Sequence, residues 1–142
     1  EEAGLDLVQL HGRESPEMCA DLGGRGRVIK AISVSAAVDW GLVEAYAQVA
    51  RVLFDTGSPS GGGTGRTFDW KLLRGAPVGL GFWLAGGLTP KDVARAVKTS
   101  RPEGVDVASG VEASPGYKDA GKMNAFVAAV RGAGGRREGL ET

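Results

Sequence analysis

Five short apolar runs are spaced along the chain, separated by stretches in which apolar residues recur at helical intervals. The runs are Leu5–Leu10, Val28–Val34, Arg51–Phe54, Gly81–Ala85 and Gly104–Ala108. Each is rich in Val, Ile, Leu or aromatic residues and is bounded by Gly, Ser or Asp, which predicts buried strands. Their near-continuous apolarity suits parallel strands covered on their outer side. Ser15-Pro16-Glu17 sets an N-cap and a first-turn proline ahead of Met18, Cys19 and Leu22. A second helix is predicted over Ala37–Ala50, with Val38, Leu42 and Val49, and a short one over Asp69–Leu73. Thr89-Pro90-Lys91-Asp92 has the form of a capping box leading into Val93, Ala96 and Val97. Met123, Phe126, Val127 and Val130, at i, i+3, i+4 and i+7, predict an amphipathic helix near the end.

The predicted strands start at residues 5, 28, 51, 81 and 104, so successive steps are 23, 23, 30 and 23 residues. Strand and helix alternating at a regular step indicate repeated βα units. The one long step contains SPSGGGTG at Ser58–Gly65, a strand-to-helix connection long enough to be a functional loop. Two architectures accept such repeats, a flavodoxin-like open sheet and a closed (β/α)8 TIM barrel. At 142 residues over five units the repeat is about 28 residues, and eight would need roughly 225. A barrel reading therefore makes this chain about three units short. It is favoured because polar and glycine clusters follow the C-terminal ends of the strands, and because the last two strands both run into glycine-rich turns.

Composition narrows the function classes. Lys plus Arg and Asp plus Glu both number 17, a net charge of zero, which argues against nucleic-acid or anionic-membrane partners. Arg131, Arg136 and Arg137 form the one basic cluster, read as a solvated tail. A single cysteine, Cys19, excludes an internal disulfide and offers no metal-ligand spacing, which suits a reducing cytoplasm. No apolar run approaches the roughly 20 residues of a membrane span. Glycine is the departure from average: 24 of 142 residues, against a usual ~7%.

Barrel chemistry sits at strand C-termini. Those ends carry Gln9 and His11, Ser33 and Ser35, Asp55, Gly86 and Gly87, and Ser109 and Gly110. The last two turns can cradle a phosphate, because glycines admit an anion to backbone N–H groups and Ser109 adds a hydroxyl; tight helix–strand packing is the alternative. Asp55 qualifies as a general acid if burial or a nearby anion raises its pKa, or else as a turn aspartate. Asp106, flanked by Val105 and Val107, points into the mouth or pairs with a cation. His11 and Gln9 are candidate pocket residues. Lys30 in mid-strand meets either a ligand inside the barrel or an ion-pair partner. Cys19 reads as core, and Trp70 as an anchor for the glycine loop.

Four blocks carry a family resemblance: VQLHG at Val8–Gly12, FDTGSPSGGGTGRTFDW at Phe54–Trp70, LAGGLTP at Leu84–Pro90 and VDVASGVEASPGYKD at Val105–Asp119. In sequence and order they resemble phosphoribosylanthranilate isomerases, and span nearly the whole chain. The resemblance implies strands four to eight of a TIM barrel and a cofactor-free Amadori rearrangement of N-(5′-phosphoribosyl)anthranilate in tryptophan biosynthesis. It implies that Asp55 is the general acid and that Gly86, Gly87, Ser109 and Gly110 hold the phosphate. Gln9, His11 and Asp106 would line the pocket, and the Gly61–Gly65 loop, with Gly62, Gly63 and Gly65, would cover it. The family's base, a cysteine in a K-x-C-G-type motif on the first strand, has no counterpart here, and Cys19 has the wrong neighbours.

The expectation is thus a partial barrel over residues 1–131 and a flexible tail over 132–142, inactive alone and open to complementation by a missing N-terminal segment. The partner is a phosphorylated small molecule, with no metal. Two alternatives stand beside it: a non-catalytic phosphate-binding fragment, and another phosphate-binding barrel enzyme.

Overall fold

Alternation along each strand assigns its residues to two faces, and helices cover one of them. The protein is described here by a computed structural model covering residues 4–56 and 67–134. Five strands, β1 (Val8–Leu10), β2 (Val28–Val34), β3 (Arg51–Thr56), β4 (Phe82–Leu84) and β5 (Gly104–Val105), form one parallel sheet in the order of the chain. Sequential order with helical crossovers is the βα-repeat arrangement expected from the spacing. α1 (Pro16–Asp21), α2 (Trp40–Val49), α3 (Val93–Ser100) and α4 (Ala120–Ala133) supply the helical cover, and a 3-10 turn at Trp70–Gly75 stands between β3 and β4.

The helix-facing side holds the larger core. Val28, Val34, Val52, Phe54, Phe82 and Leu84 project there and meet Val43, Tyr46, Leu73, Val93 and Ala96. Phe54 is fully buried and takes Trp40 and Phe82 edge-on, with ring centroids 6.0 and 5.2 Å away. Burying such a ring contributes roughly 2–3 kcal/mol. The opposite face has only a small cluster, Ile29, Ala31, Leu53 and Ala85, with Trp83 against it. Asp55 shares that face with Leu53, two residues before it.

Side-chain caps open α1, α2 and α4. The Ser15 hydroxyl accepts from Met18 N at 3.3 Å. Thr89 N donates to Asp92 Oδ1 at 2.8 Å, and the Thr89 hydroxyl accepts from Lys91 N at 3.3 Å, but this reciprocal pair closes a turn ahead of α3, which begins at Val93 rather than Pro90 and has no side-chain cap of its own. Asp39 caps α2 through Leu42 N and Asp119 caps α4 through Lys122 N.

Several expectations are corrected. The first strand begins at Val8, not Leu5, and Leu5 and Leu7 are exposed. The last strand stops at Val105, although Asp106 N still donates to Leu84 O at 2.9 Å. α2 starts at Trp40 because Asp39 claims the cap, and the short helix after Asp69 is a 3-10 turn. Gly132 and Ala133, expected in the tail, belong to α4. Of the apolar stripe on α4 only Phe126 is buried; Met123 and Val127 stay exposed. On α1 Cys19 is core, as expected, but Met18 and Leu22 face outward. One element was unforeseen, an antiparallel hairpin of β6 (Glu112–Ser114) and β7 (Tyr117–Lys118).

Lys30 resolves toward the ion pair. Its strand position lies on the helix side, where Nζ is 2.9 Å from Glu14 Oε2 and 2.8 Å from Gly12 O, over the Tyr46 ring. Tyr46 Oη donates to Glu14 O at 2.7 Å, so the loop after β1 is tied down from two elements.

Candidate functional site

β3, β4 and β5 end side by side, and their C-terminal turns enclose a cavity of about 150 Å³. Asp55 comes from the first, Ala85–Leu88 from the second and Asp106–Gly110 from the third. Six of the residues singled out in the sequence therefore meet in one place: Asp55, Gly86, Gly87, Asp106, Ser109 and Gly110. The acid and the glycine turns share one end of the sheet.

Two glycines are required by the backbone. Gly86 and Gly87 have φ of 89° and 63°, a region that costs other residues about 1–2 kcal/mol. A β-carbon on Gly86 would also lie 2.7 Å from Asp55 Oδ1 and closer still to Thr56 N and Oγ1. One on Gly110 would collide with the Leu88 carbonyl oxygen. Close packing of the two turns and access of an anion to their N–H groups are thus served by the same missing side chains.

Burial pushes the Asp55 carboxyl above the usual aspartate range, opposed by the Thr56 backbone and reinforced by the negative charge of Asp106. His11 pulls the other way. A carboxyl whose pKa is raised in this way is suited to act as a general acid. Asp106 is exposed at the mouth and has no salt-bridge partner among the described residues. His11 and Gln9 lie at the exposed end of β1 and do not line the cavity, although His11 is near enough to act on Asp55. Gly62, Gly63 and Gly65 lie outside the described residues. Among the described residues no three His, Cys, Asp or Glu side chains are grouped to hold a metal ion, and no helix is long and apolar enough to cross a membrane.

Three features were not read from the sequence. Thr56 Oγ1 is buried against Gly86 without a hydrogen-bond partner; its strand-end position next to Asp55 was the available signal. Trp70 is buried under Arg95, whose guanidinium is 5.2 Å from a ring centroid, and so anchors the segment after the glycine loop by more than packing. Lys118 Nζ donates to Ala108 O, in the cavity wall, at 2.9 Å.

A family profile described as N-(5'phosphoribosyl)anthranilate (PRA) isomerase matches residues 1–129. The N-(5'-phosphoribosyl)anthranilate isomerase of Paramagnetospirillum magneticum is 49% identical over 135 residues, covering 90% of this chain and 63% of that protein. Among solved structures, phosphoribosyl anthranilate isomerase from Thermotoga maritima superposes with a TM-score of 0.75 at 40% identity, over 90% of this chain and 62% of that one. A phosphoribosyl anthranilate isomerase in complex with reduced 1-(o-carboxyphenylamino)-1-deoxyribulose 5-phosphate matches at a TM-score of 0.71 and 36% identity, over 90% of this chain and 60% of that one. The chain spans about three fifths of the length of these relatives. Five parallel strands in sequence order are the TIM-barrel-type arrangement of those structures, and the chain belongs to the N-(5'-phosphoribosyl)anthranilate isomerase family.

Proposed function

We propose that this chain serves the isomerisation of N-(5′-phosphoribosyl)anthranilate to 1-(2-carboxyphenylamino)-1-deoxyribulose 5-phosphate, with Asp55 as general acid and no cofactor. The observation that carries the reading is the single cavity shared by Asp55 and the Gly86-Gly87 and Ser109-Gly110 turns. The turns hold the phosphate through backbone N–H groups, and so fix the distance from the sugar to Asp55. Asp55 gives its proton to the furanose ring oxygen as the C1′–O bond breaks, leaving an open-chain Schiff base. A base then removes the proton from C2′, and the electron pair moves to give an enolamine that tautomerises to the ketone. Asp106, in the cavity lining, contacts the rest of the substrate, and Gln9 and His11, outside that lining, would reach it only from the β1 side.

The proton acceptor lies outside the described residues of this cavity. Cys19 is fully buried in the helix-side core. We further propose that the five units form part of an eight-unit barrel. Support comes from the sheet itself, in which β1 and β5 each have one neighbour. Additional strands pairing on those edges would close the barrel and bring the base, whether joined to this chain or added to it.

The test is turnover followed by loss of anthranilate fluorescence, measured for the 142-residue chain alone and after completion with the first three units of a relative. Asp55→Asn should lower kcat by roughly 10²–10⁴-fold in whichever form turns over. Near-normal turnover in that variant rejects Asp55 as the acid. Phosphate binding without turnover in either form favours the non-catalytic reading instead.

A further inference from the structure

A glycine turn supplies N–H groups but does not by itself decide which way its peptide planes face. Here the Ala108 carbonyl, at the start of the 3-10 turn Ser109–Val111, is also held by a side chain outside the cavity. The β6–β7 hairpin turns at Pro115-Gly116, with Gly116 at φ 83°, and pairs Glu112 with Lys118 across the strands. Lys118 Nζ donates to Glu112 Oε1 at 2.8 Å and to the Ala108 carbonyl at 2.9 Å. Ala108 and Ser109 line the cavity and Lys118 does not, so the ammonium stands behind the wall. The hairpin is braced there by Asp119 N donating to Val111 O at 2.8 Å and by Lys122 Nζ donating to Glu112 O.

In a trans peptide the C=O and N–H of one unit point in opposite directions, and no cis bond occurs among the described residues. A carbonyl of Ala108 held toward Lys118 therefore turns the Ser109 N–H away from Lys118, toward the cavity. A cation on the carbonyl also polarises that peptide and makes its N–H a stronger donor. We infer that Lys118 is a positioning residue for anion binding, holding the Ala108–Ser109 peptide so that the Ser109 N–H faces a phosphate group. The inference rests on the reading of this cavity as the phosphate site. The competing role is a staple for the hairpin alone, which would alter stability without altering affinity for the anion.

The experiment is a titration of the ¹⁵N-labelled 142-residue chain with inorganic phosphate, following the amides of Gly86, Gly87, Ser109 and Gly110. In Lys118→Met the dissociation constant should rise about tenfold, the weight of one charge-assisted hydrogen bond. The Ser109 shift should be lost while Gly86 and Gly87 still respond. Lys118→Arg, which keeps the cation, should recover affinity to within about threefold of the unaltered chain. Lys118 is 46% exposed, so the variants should fold, and melting curves check this. Glu112→Gln, which loosens the tether on Lys118, should weaken phosphate binding in the same direction by a smaller factor. Unchanged affinity in Lys118→Met with the Ser109 shift intact overturns the inference alone. So does an equal loss in the Met and Arg variants that tracks a lower melting temperature. Absence of any phosphate-dependent shift in the unaltered chain overturns the phosphate reading, and the inference with it.

Discussion

Burial makes the charge of Asp55 unfavourable and Asp106 adds a like charge nearby, so its carboxyl titrates above the ordinary aspartate range. Its folded value lies above the ordinary 3.8 of the side chain, so the fold favours the protonated form. That contribution is complete below the ordinary value and disappears as pH rises through the raised one. Stability should therefore fall with rising pH over that window, and Asp55→Asn should flatten the fall and melt higher at neutral pH. Melting temperatures measured across the window decide it; identical profiles for the two proteins would show that burial is not acting on this carboxyl. At Gly110 the constraint is steric. A β-carbon would overlap the Leu88 carbonyl, part of the backbone and unable to swing aside. Gly110→Ala should lose about 1–3 kcal/mol, read from the denaturant midpoint. At this scale much of the site was legible. Strand-end position picked out Asp55 and the four turn residues that meet in the cavity, and a charge between Val105 and Val107 picked out Asp106. Strand-end position also picked out Gln9 and His11, which do not line the cavity, because being at the mouth depends on which units stand beside β1. Thr56 was missed because a buried, unpartnered hydroxyl is a property of packing.

Helices begin where side chains can close a cap: Ser15, Asp39 and Asp119 act at helix starts, Ser15 alone among them having been read from the sequence, and the Thr89–Asp92 pair closes a turn ahead of α3. Ends are less legible, since nothing in Gly104–Ala108 says that pairing with β4 will stop at Val105. The β6–β7 hairpin had a signal that went unused. Pro115-Gly116 is a turn pair, and Glu112 and Lys118 each sit three residues from Pro115, which puts opposite charges across the strands. Lys30 shows how a charge is held within an element. It is 3% exposed and tied to the β1 loop through Glu14 and Gly12. Lys30→Met should leave Glu14 unpaired and cost about 1–3 kcal/mol. This is less than the 3–5 of a fully enclosed pair, because Glu14 keeps 24% of its side chain in solvent. Chemical denaturation measures the loss, and a gain in stability would mean the methionine packs better than the pair.

The molecule as a whole is a sheet with two open edges, β1 and β5, among its described residues. Exposed apolar side chains accompany the first edge as Leu5, Leu7 and Met18, and α4 presents Met123 and Val127. Unpaired edges with apolar neighbours associate, so sedimentation should show assemblies that grow with concentration. Met18→Lys with Val127→Lys should shift the distribution toward smaller species, whereas a single monomeric boundary at every concentration would contradict the expectation. The two faces of the sheet carry different duties. Packing against helices occupies Val52 and Phe54, and the mouth takes Asp55, so changes that erode folding and changes that retune chemistry fall on neighbouring positions of one strand. Selection can therefore act on them separately. The mouth is open to drift toward other ligands while the helix-side residues stay under constraint, and a variant library confined to mouth positions should yield mostly folded proteins.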